Sequence, residues 1–166
     1  MKTAWISSVL IVLSLATFRP AIAQDLATQI VGTWKLTSQV RKELDSGATA
    51  NVFGEKPIGH IVYTKGGHTV WFLVADKRQR PASPNLTDAE RSALFRSLAG
   101  ATGTYKVEGS KVFQRYESSW HELWTGVEFV SDAAISGKTL TLTTPPFKSP
   151  QDGKDVVVVT TWERVE

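Results

Sequence analysis

The chain has 166 residues, no cysteine and a formal net charge of +3. Without cysteine there is no disulfide framework, no thiolate chemistry and no Cys-ligated zinc, so stability must come from a hydrophobic core, which a chain of this length can build. The charge is no pointer to nucleic acid, because Lys2 and Arg19 lie in an N-terminal segment expected to be removed, which leaves 3 minus 2, or +1.

In chain order, the first predicted element is a secretory signal over residues 1–23. Lys2 supplies its positive start, Ile6 to Phe18 its apolar run, and Ala21-Ile22-Ala23 a small-x-small cleavage site. The mature chain is therefore expected to begin at Gln24 and to be exported to the periplasm or the extracellular space. The apolar run falls short of the roughly 20 residues of a membrane span. No cysteine follows it for lipid attachment, so no stable membrane anchor is expected after cleavage. Residues 24–166 are then read as one domain.

Beyond the signal, short runs of β-branched and aromatic residues alternate with Gly-containing turns at regular spacing. They predict eight strands, near 31–41, 58–64, 68–75, 103–108, 111–118, 125–134, 138–143 and 155–164. The fold class is all-β: an eight-stranded antiparallel up-and-down barrel, whose interior just fits side chains or one small ligand. One short helix is placed between the third and fourth strands. Thr87-Asp88-Ala89-Glu90 is its capping box, Leu94, Phe95 and Leu98 share one side, and Gly100 ends it. The helix, over 87–99, is expected to lie on the barrel's side or mouth as a lid.

Hairpin parity assigns the faces. An even loop at Gly109-Ser110 pairs Tyr105 with Gln114 and Val107 with Val112. Lys106 and Glu108 need water, so Tyr105, Gln114 and Tyr116 point inward, while Arg115 and Glu117 point out. A two-residue turn at Gly66-Gly67 pairs Tyr63 with Val70 and Ile61 with Phe72. That face is taken as the inner one, with Trp71 and Leu73 outside beneath the helix. The Ser136-Gly137 turn pairs Ala133 with Leu140 and puts Val127 and Phe129 on the inner face.

The ordered set of short motifs resembles a known family. Gly32-Thr33-Trp34 opens the first strand and Trp162-Glu163-Arg164 closes the last, as in the lipocalin superfamily of calycin-type barrels. Val31–Leu36, Pro57–Thr64, Gly103–Val107, Trp124-Thr125-Gly126, Leu140-Thr141-Leu142 and Thr161–Arg164 are similar to the bacterial and fungal lipocalin-like domain family specifically. The resemblance implies that Trp34 packs across the closed end of the barrel under Arg164, as a structural pair. Family members often carry a His-His pair on the fifth strand. This chain has Gln114-Arg115 there, so any chemistry resting on such a histidine is absent.

The candidate ligand-binding residues are Tyr63, Phe72, Tyr105, Gln114, Tyr116 and Phe129. They either fill a small barrel or line a cavity whose few polar groups orient a ligand. The Tyr105–Gln114 pair offers a buried hydroxyl and amide to each other as partners. In Ser119–Trp124 two tryptophans are read as a barrel-end plug, and His121 and Glu122, as neighbours, are expected to diverge. The three histidines have no metal-site spacing, and no P-loop, dinucleotide fingerprint or Gly-x-Ser-x-Gly is present. No metal, cofactor or catalytic residue is therefore assigned. Three functions stay open: binding a small apolar or amphipathic molecule, an isomerase or cyclase using the same pocket, and a structural domain with a filled interior.

Overall fold

A computed structural model describes residues 25–150 and 152–166; the expected signal segment lies outside them. Ten strands appear in chain order: β1 (Gly32–Glu43), β2 (Thr49–Asn51), β3 (Ile58–Tyr63), β4 (His68–Val74), β5 (Leu98–Glu108), β6 (Lys111–Ser119), β7 (Glu128–Ser136), β8 (Thr139–Thr143), β9 (Phe147–Lys148) and β10 (Asp155–Arg164). Neighbouring strands are antiparallel, and β1 pairs with β10. The result is a closed eight-stranded antiparallel barrel, the all-β architecture expected from the sequence. The short strands β2 and β9 are additions. They extend the outer ends of β1 and β10, which run together over nine residue pairs from Trp34↔Arg164 to Glu43↔Val156.

Closure defines two ends. The tight hairpins β3–β4, β5–β6 and β7–β8, with the start of β1 and the end of β10, gather at one of them. There α1 (Leu26–Gln29), a single helical turn absent from the expectation, precedes the fully buried Ile30. The long connections between the barrel strands, which carry β2, a helix and β9, gather at the other end, the mouth. Buried Trp34, Leu36, Ile61, Tyr63, Val112, Leu140, Leu142 and Trp162 belong to one core cluster inside the barrel.

The β5–β6 register is Tyr105↔Gln114, Val107↔Val112 and Glu108↔Lys111, as the even loop requires. Lys106 bonds Glu108 at 2.8 Å and Lys111 bonds Asp132 at 2.7 Å on the wet face. Further along, Thr102 pairs with Ser118 but Gly103 with Tyr116, so Glu117 is the extra residue of a bulge on β6.

The β3–β4 hairpin differs from the expectation. Thr64 and His68 close a three-residue loop, with backbone and Thr64 hydroxyl bonds between them and Gly67 at φ +79°. The odd loop pairs Tyr63 with Thr69 and Ile61 with Trp71. Every side chain on β4 is thereby exchanged between faces. Thr69, Trp71 and Leu73 face in, while Val70 and Phe72 face out. At the β7–β8 turn the loop is centred one residue later, so Ala133 meets Leu142 rather than Leu140, but parity is unchanged. Val127 precedes β7 and is 39% exposed rather than internal.

The predicted helix is α2 (Asp88–Arg96), with both halves of the capping box formed: Glu90 N–H donates to the Thr87 hydroxyl, and Thr87 N–H donates to the Glu90 carboxylate at 2.8 Å. It ends before the expected Gly100, which lies inside β5, because Ser97 takes the C-cap and its hydroxyl returns to the Leu94 carbonyl. No residue of α2 is buried, so it is no lid over Trp71, which faces inward. Thr87→Ala should therefore act locally. Loss of the N-cap, about 1 kcal/mol, should reduce amide protection over 88–96 roughly five-fold in hydrogen exchange, with the barrel amides unchanged.

Candidate functional site

The closed end has a floor. Trp34 is fully buried, its indole N–H donates to the Ile30 carbonyl at 2.8 Å, and the Arg164 guanidinium stacks on its ring, 4.1 Å from the centroid. Arg164 also bonds the carbonyls of Val31 and Gln29. The guanidinium thus ties β10 to the turn before β1, with an aromatic face beneath it.

Above the floor the register brings polar side chains into the interior. Tyr63 on β3 opposes Thr69 on β4, Thr69 opposes Gly103 on β5, and Gly103 opposes Tyr116 on β6. One residue pair along, Tyr105, Gln114 and Phe129 line up across β5, β6 and β7. Gln114 is 5% exposed, whereas Arg115 is exposed and Glu117 with it. The Tyr63 and Tyr105 rings meet edge-on, 4.8 Å apart.

The polar atoms within this layer are unevenly satisfied. Tyr105 turns its hydroxyl to the Thr64 carbonyl at 2.8 Å instead of to Gln114, so the expected Tyr105–Gln114 partnership does not form. The Tyr63 hydroxyl, the Thr69 hydroxyl and the Gln114 amide nitrogen are buried without a partner in the protein. Burial pushes the Tyr63 hydroxyl well above its ordinary range, with Tyr116 and Tyr105 nearby adding to it. Tyr116 is pushed up to about 12 by burial, the Trp71 indole offsetting part of the rise. Both hydroxyls therefore stay protonated through the neutral pH range.

Toward the mouth the interior becomes aromatic. Tyr116 stacks on Phe129 at 4.8 Å, and Trp124 lies 5.5 Å from Phe129 and 6.4 Å from both Tyr116 and Trp71. The 3-10 turn Glu122–Trp124 carries Trp124 inward and leaves Leu123 80% exposed. His121 stacks on Trp124, and Trp120 reaches out to Phe95 of α2 at 4.8 Å. His121 and Glu122 do diverge: the carboxylate accepts from the Thr125 hydroxyl, away from the stacked imidazole.

Of the residues expected to line the interior, Tyr63, Tyr105, Gln114, Tyr116 and Phe129 are brought together. Phe72 is not. It lies on the outer face, 52% exposed, because the three-residue β3–β4 loop reverses β4. Thr69 and Trp71 take its place on the inner face. Sequence reasoning missed both; the signal that finds them is Thr64, whose hydroxyl favours closing the loop one residue earlier. A recess of about 160 Å³ lined by Lys106, Phe113, Arg115 and Glu128 lies on the outer face. It is a surface feature of β5, β6 and β7, and Tyr105 is the one inward residue that borders it.

With this geometry in place, comparison with known proteins is direct: the lipocalin-like domain family matches residues 31–165, from the turn before β1 to the end of β10. The chain belongs to the lipocalin-like domain family. No curated protein matches the chain. Membership supports a ligand-binding barrel in general terms. In this lipocalin-like barrel no three His, Asp or Glu side chains among the described residues come together as a metal site. No helix among them is long and apolar enough to cross a membrane.

Proposed function

We propose that this lipocalin-like protein is exported and binds a small apolar or amphipathic molecule inside its barrel. The observation that carries the reading is a group of buried, unpartnered polar atoms on inward side chains, the hydroxyls of Tyr63 and Thr69, the Gln114 amide nitrogen and the Trp71 indole nitrogen, held beside an aromatic wall. A buried donor without a partner costs about 1–3 kcal/mol, and native interiors leave few of them. A ligand carrying one or two polar atoms satisfies the set, while Tyr116, Phe129 and Trp71 supply apolar contact. The interior hydroxyls are held protonated, so they donate hydrogen bonds rather than exchange protons near neutrality. That favours a binding role over the isomerase or cyclase reading.

Native mass spectrometry of protein purified from its own host tests this. The expected result is a bound mass in the wild type, lost or weakened about ten-fold in Gln114→Leu, which keeps the volume but removes the amide. Arg115→Ala, on the outer face, should leave the adduct unchanged. Bare protein from the host, in both wild type and variants, would falsify the binding role. The same spectra test export. The mature mass should begin at Gln24, and full-length chain recovered from the cytoplasm overturns the signal assignment.

A further inference from the structure

We infer that the ligand of this barrel is electrically neutral and presents an uncharged oxygen, a carbonyl or a hydroxyl, to Gln114, Thr69 and Tyr63. The inference rests on the binding role proposed above and adds the ligand's chemical class to it. Its starting point is where the barrel keeps its charges. Among the described residues, charged side chains occupy inward positions of the barrel strands only at the two ends, with Arg164 at the floor and Arg41 and Glu43 at the far end of β1. The inward positions between them are apolar, aromatic, small or uncharged polar, on all eight strands.

At both ends the cations are already engaged, although the Nε of Arg41 is buried without a partner. Arg164 stacks on Trp34 and bonds two backbone carbonyls. At the mouth, the two terminal nitrogens of Arg41 are taken by Glu43 at 3.2 Å and Asp152 at 2.7 Å, and Lys154 bonds Glu43 at 2.8 Å. Two cations thus meet two carboxylates, and the network is balanced. The carboxyls of Glu43, chiefly through Lys154, and of Asp152 are both held below their ordinary range, so the balance persists at neutral pH.

A carboxylate or an ammonium group carried into the middle of the barrel would therefore lose its hydration and meet no opposite charge. Burying an unpaired ion costs far more than burying a hydroxyl or amide. The unpartnered atoms of Tyr63, Thr69 and Gln114, with the Trp71 indole N–H beside them, fit a neutral oxygen instead. The Gln114 amide nitrogen donates, the protonated Tyr63 hydroxyl donates, and the Thr69 hydroxyl can do either. A ligand oxygen with two lone pairs accepts two of these bonds without bringing a charge inside.

Two matched probe sets read by tryptophan fluorescence test this on the wild-type protein at pH 7. One set shares a naphthalene ring and carries a methyl ketone, a carboxylate or a methylammonium; the other is decanol, decanoate and decylammonium. In each set the neutral member should bind at least about ten-fold tighter than either ion, since only the ions must shed strong hydration unpaired. An ion that equals or exceeds its neutral partner overturns the inference and leaves the binding role standing. Failure of both neutral members to bind overturns the binding role and the inference with it. A ligand-free measurement covers the electrostatics alone. In Gln114→Glu the new carboxyl, followed by NMR, should titrate at least about 2 units above its ordinary value, because burial without a countercharge disfavours the ion. A value near the ordinary one, about 4, overturns the neutral-ligand argument.

Discussion

Trp34→Ala is expected to lower the stability of the barrel by about 3–5 kcal/mol, read as a fall in the urea midpoint at unchanged slope. Three losses coincide at this position. The indole is fully buried, so its removal leaves a cavity at the floor of the core. The Ile30 carbonyl loses the N–H that donates to it at 2.8 Å. The Arg164 guanidinium loses the ring on which it stacks, a contact of about 0.5–2 kcal/mol, though it keeps the Val31 and Gln29 carbonyls. A domain of this size has about 5–15 kcal/mol in total, so the variant should be close to unfolding at 37 °C. Arg164→Met keeps the indole and much of the packing and should cost clearly less. If the two variants were equally destabilised, the ring would be acting only through its partner, and the cavity argument would be wrong.

The second large effect is expected at Gly103. A Cβ on this residue would sit within 3.0 Å of the Arg115 carbonyl and the Glu117 nitrogen, both backbone atoms that cannot swing aside. The site is also where the β5–β6 register slips between Thr102 and Gly103, so the crowding comes from the irregularity itself. Gly103→Ala should thus cost about 3 kcal/mol or more, at the top of the range for overpacking. It should also disturb Gln114 and Tyr116, which lie on the strand that would have to move. The control is Gly66→Ala in the β3–β4 loop, where a Cβ meets nothing nearer than 3.7 Å. That change should fall within about 0.5 kcal/mol. Thermal melts of the two variants, with near-UV circular dichroism to follow the interior aromatics, separate the outcomes.

The two hairpins beside the site explain how far a sequence can be read. In β5–β6 one alternation carries Lys106, Glu108, Lys111 and Arg115, and the other carries Tyr105, Val107, Val112 and Gln114. Burying the first set would strand four charges, so the register follows from electrostatics and the loop adds only its parity. In β3–β4 both alternations are largely apolar: Ile61 and Tyr63 against His60 and Val62, then Trp71 and Leu73 against Val70 and Phe72. Hydrophobicity cannot choose between two such faces. The decision falls to one residue of loop length, set by the Thr64–His68 closure. Gly59 adds a second constraint invisible from composition. A side chain there would press on the Phe72 carbonyl at 2.6 Å, so the two strands approach too closely for any other residue. For the site as a whole, the inward row on β6 was legible, and the orphaned atoms on Tyr63 and Thr69 were not. Partnership in three dimensions has no trace in alternation.

The pairing of β1 with β10 also bears on how the chain reaches its native state. Every other barrel strand pairs with strands close to it in sequence, through hairpins or connections that a growing chain can complete as it emerges. β1 cannot finish its edge until residues 155–164 arrive, more than a hundred positions later. Until then its long flank of unpaired amides stays open, and the floor at Trp34 lacks the arginine that covers it. Closure over so long a separation carries the largest loop entropy in the molecule and belongs to the slow class of topologies. The barrel can thus close only once residues 155–164 are available to pair with β1. In the interval, the exposed edge of β1 is the part of the chain most in need of protection from pairing with a second copy.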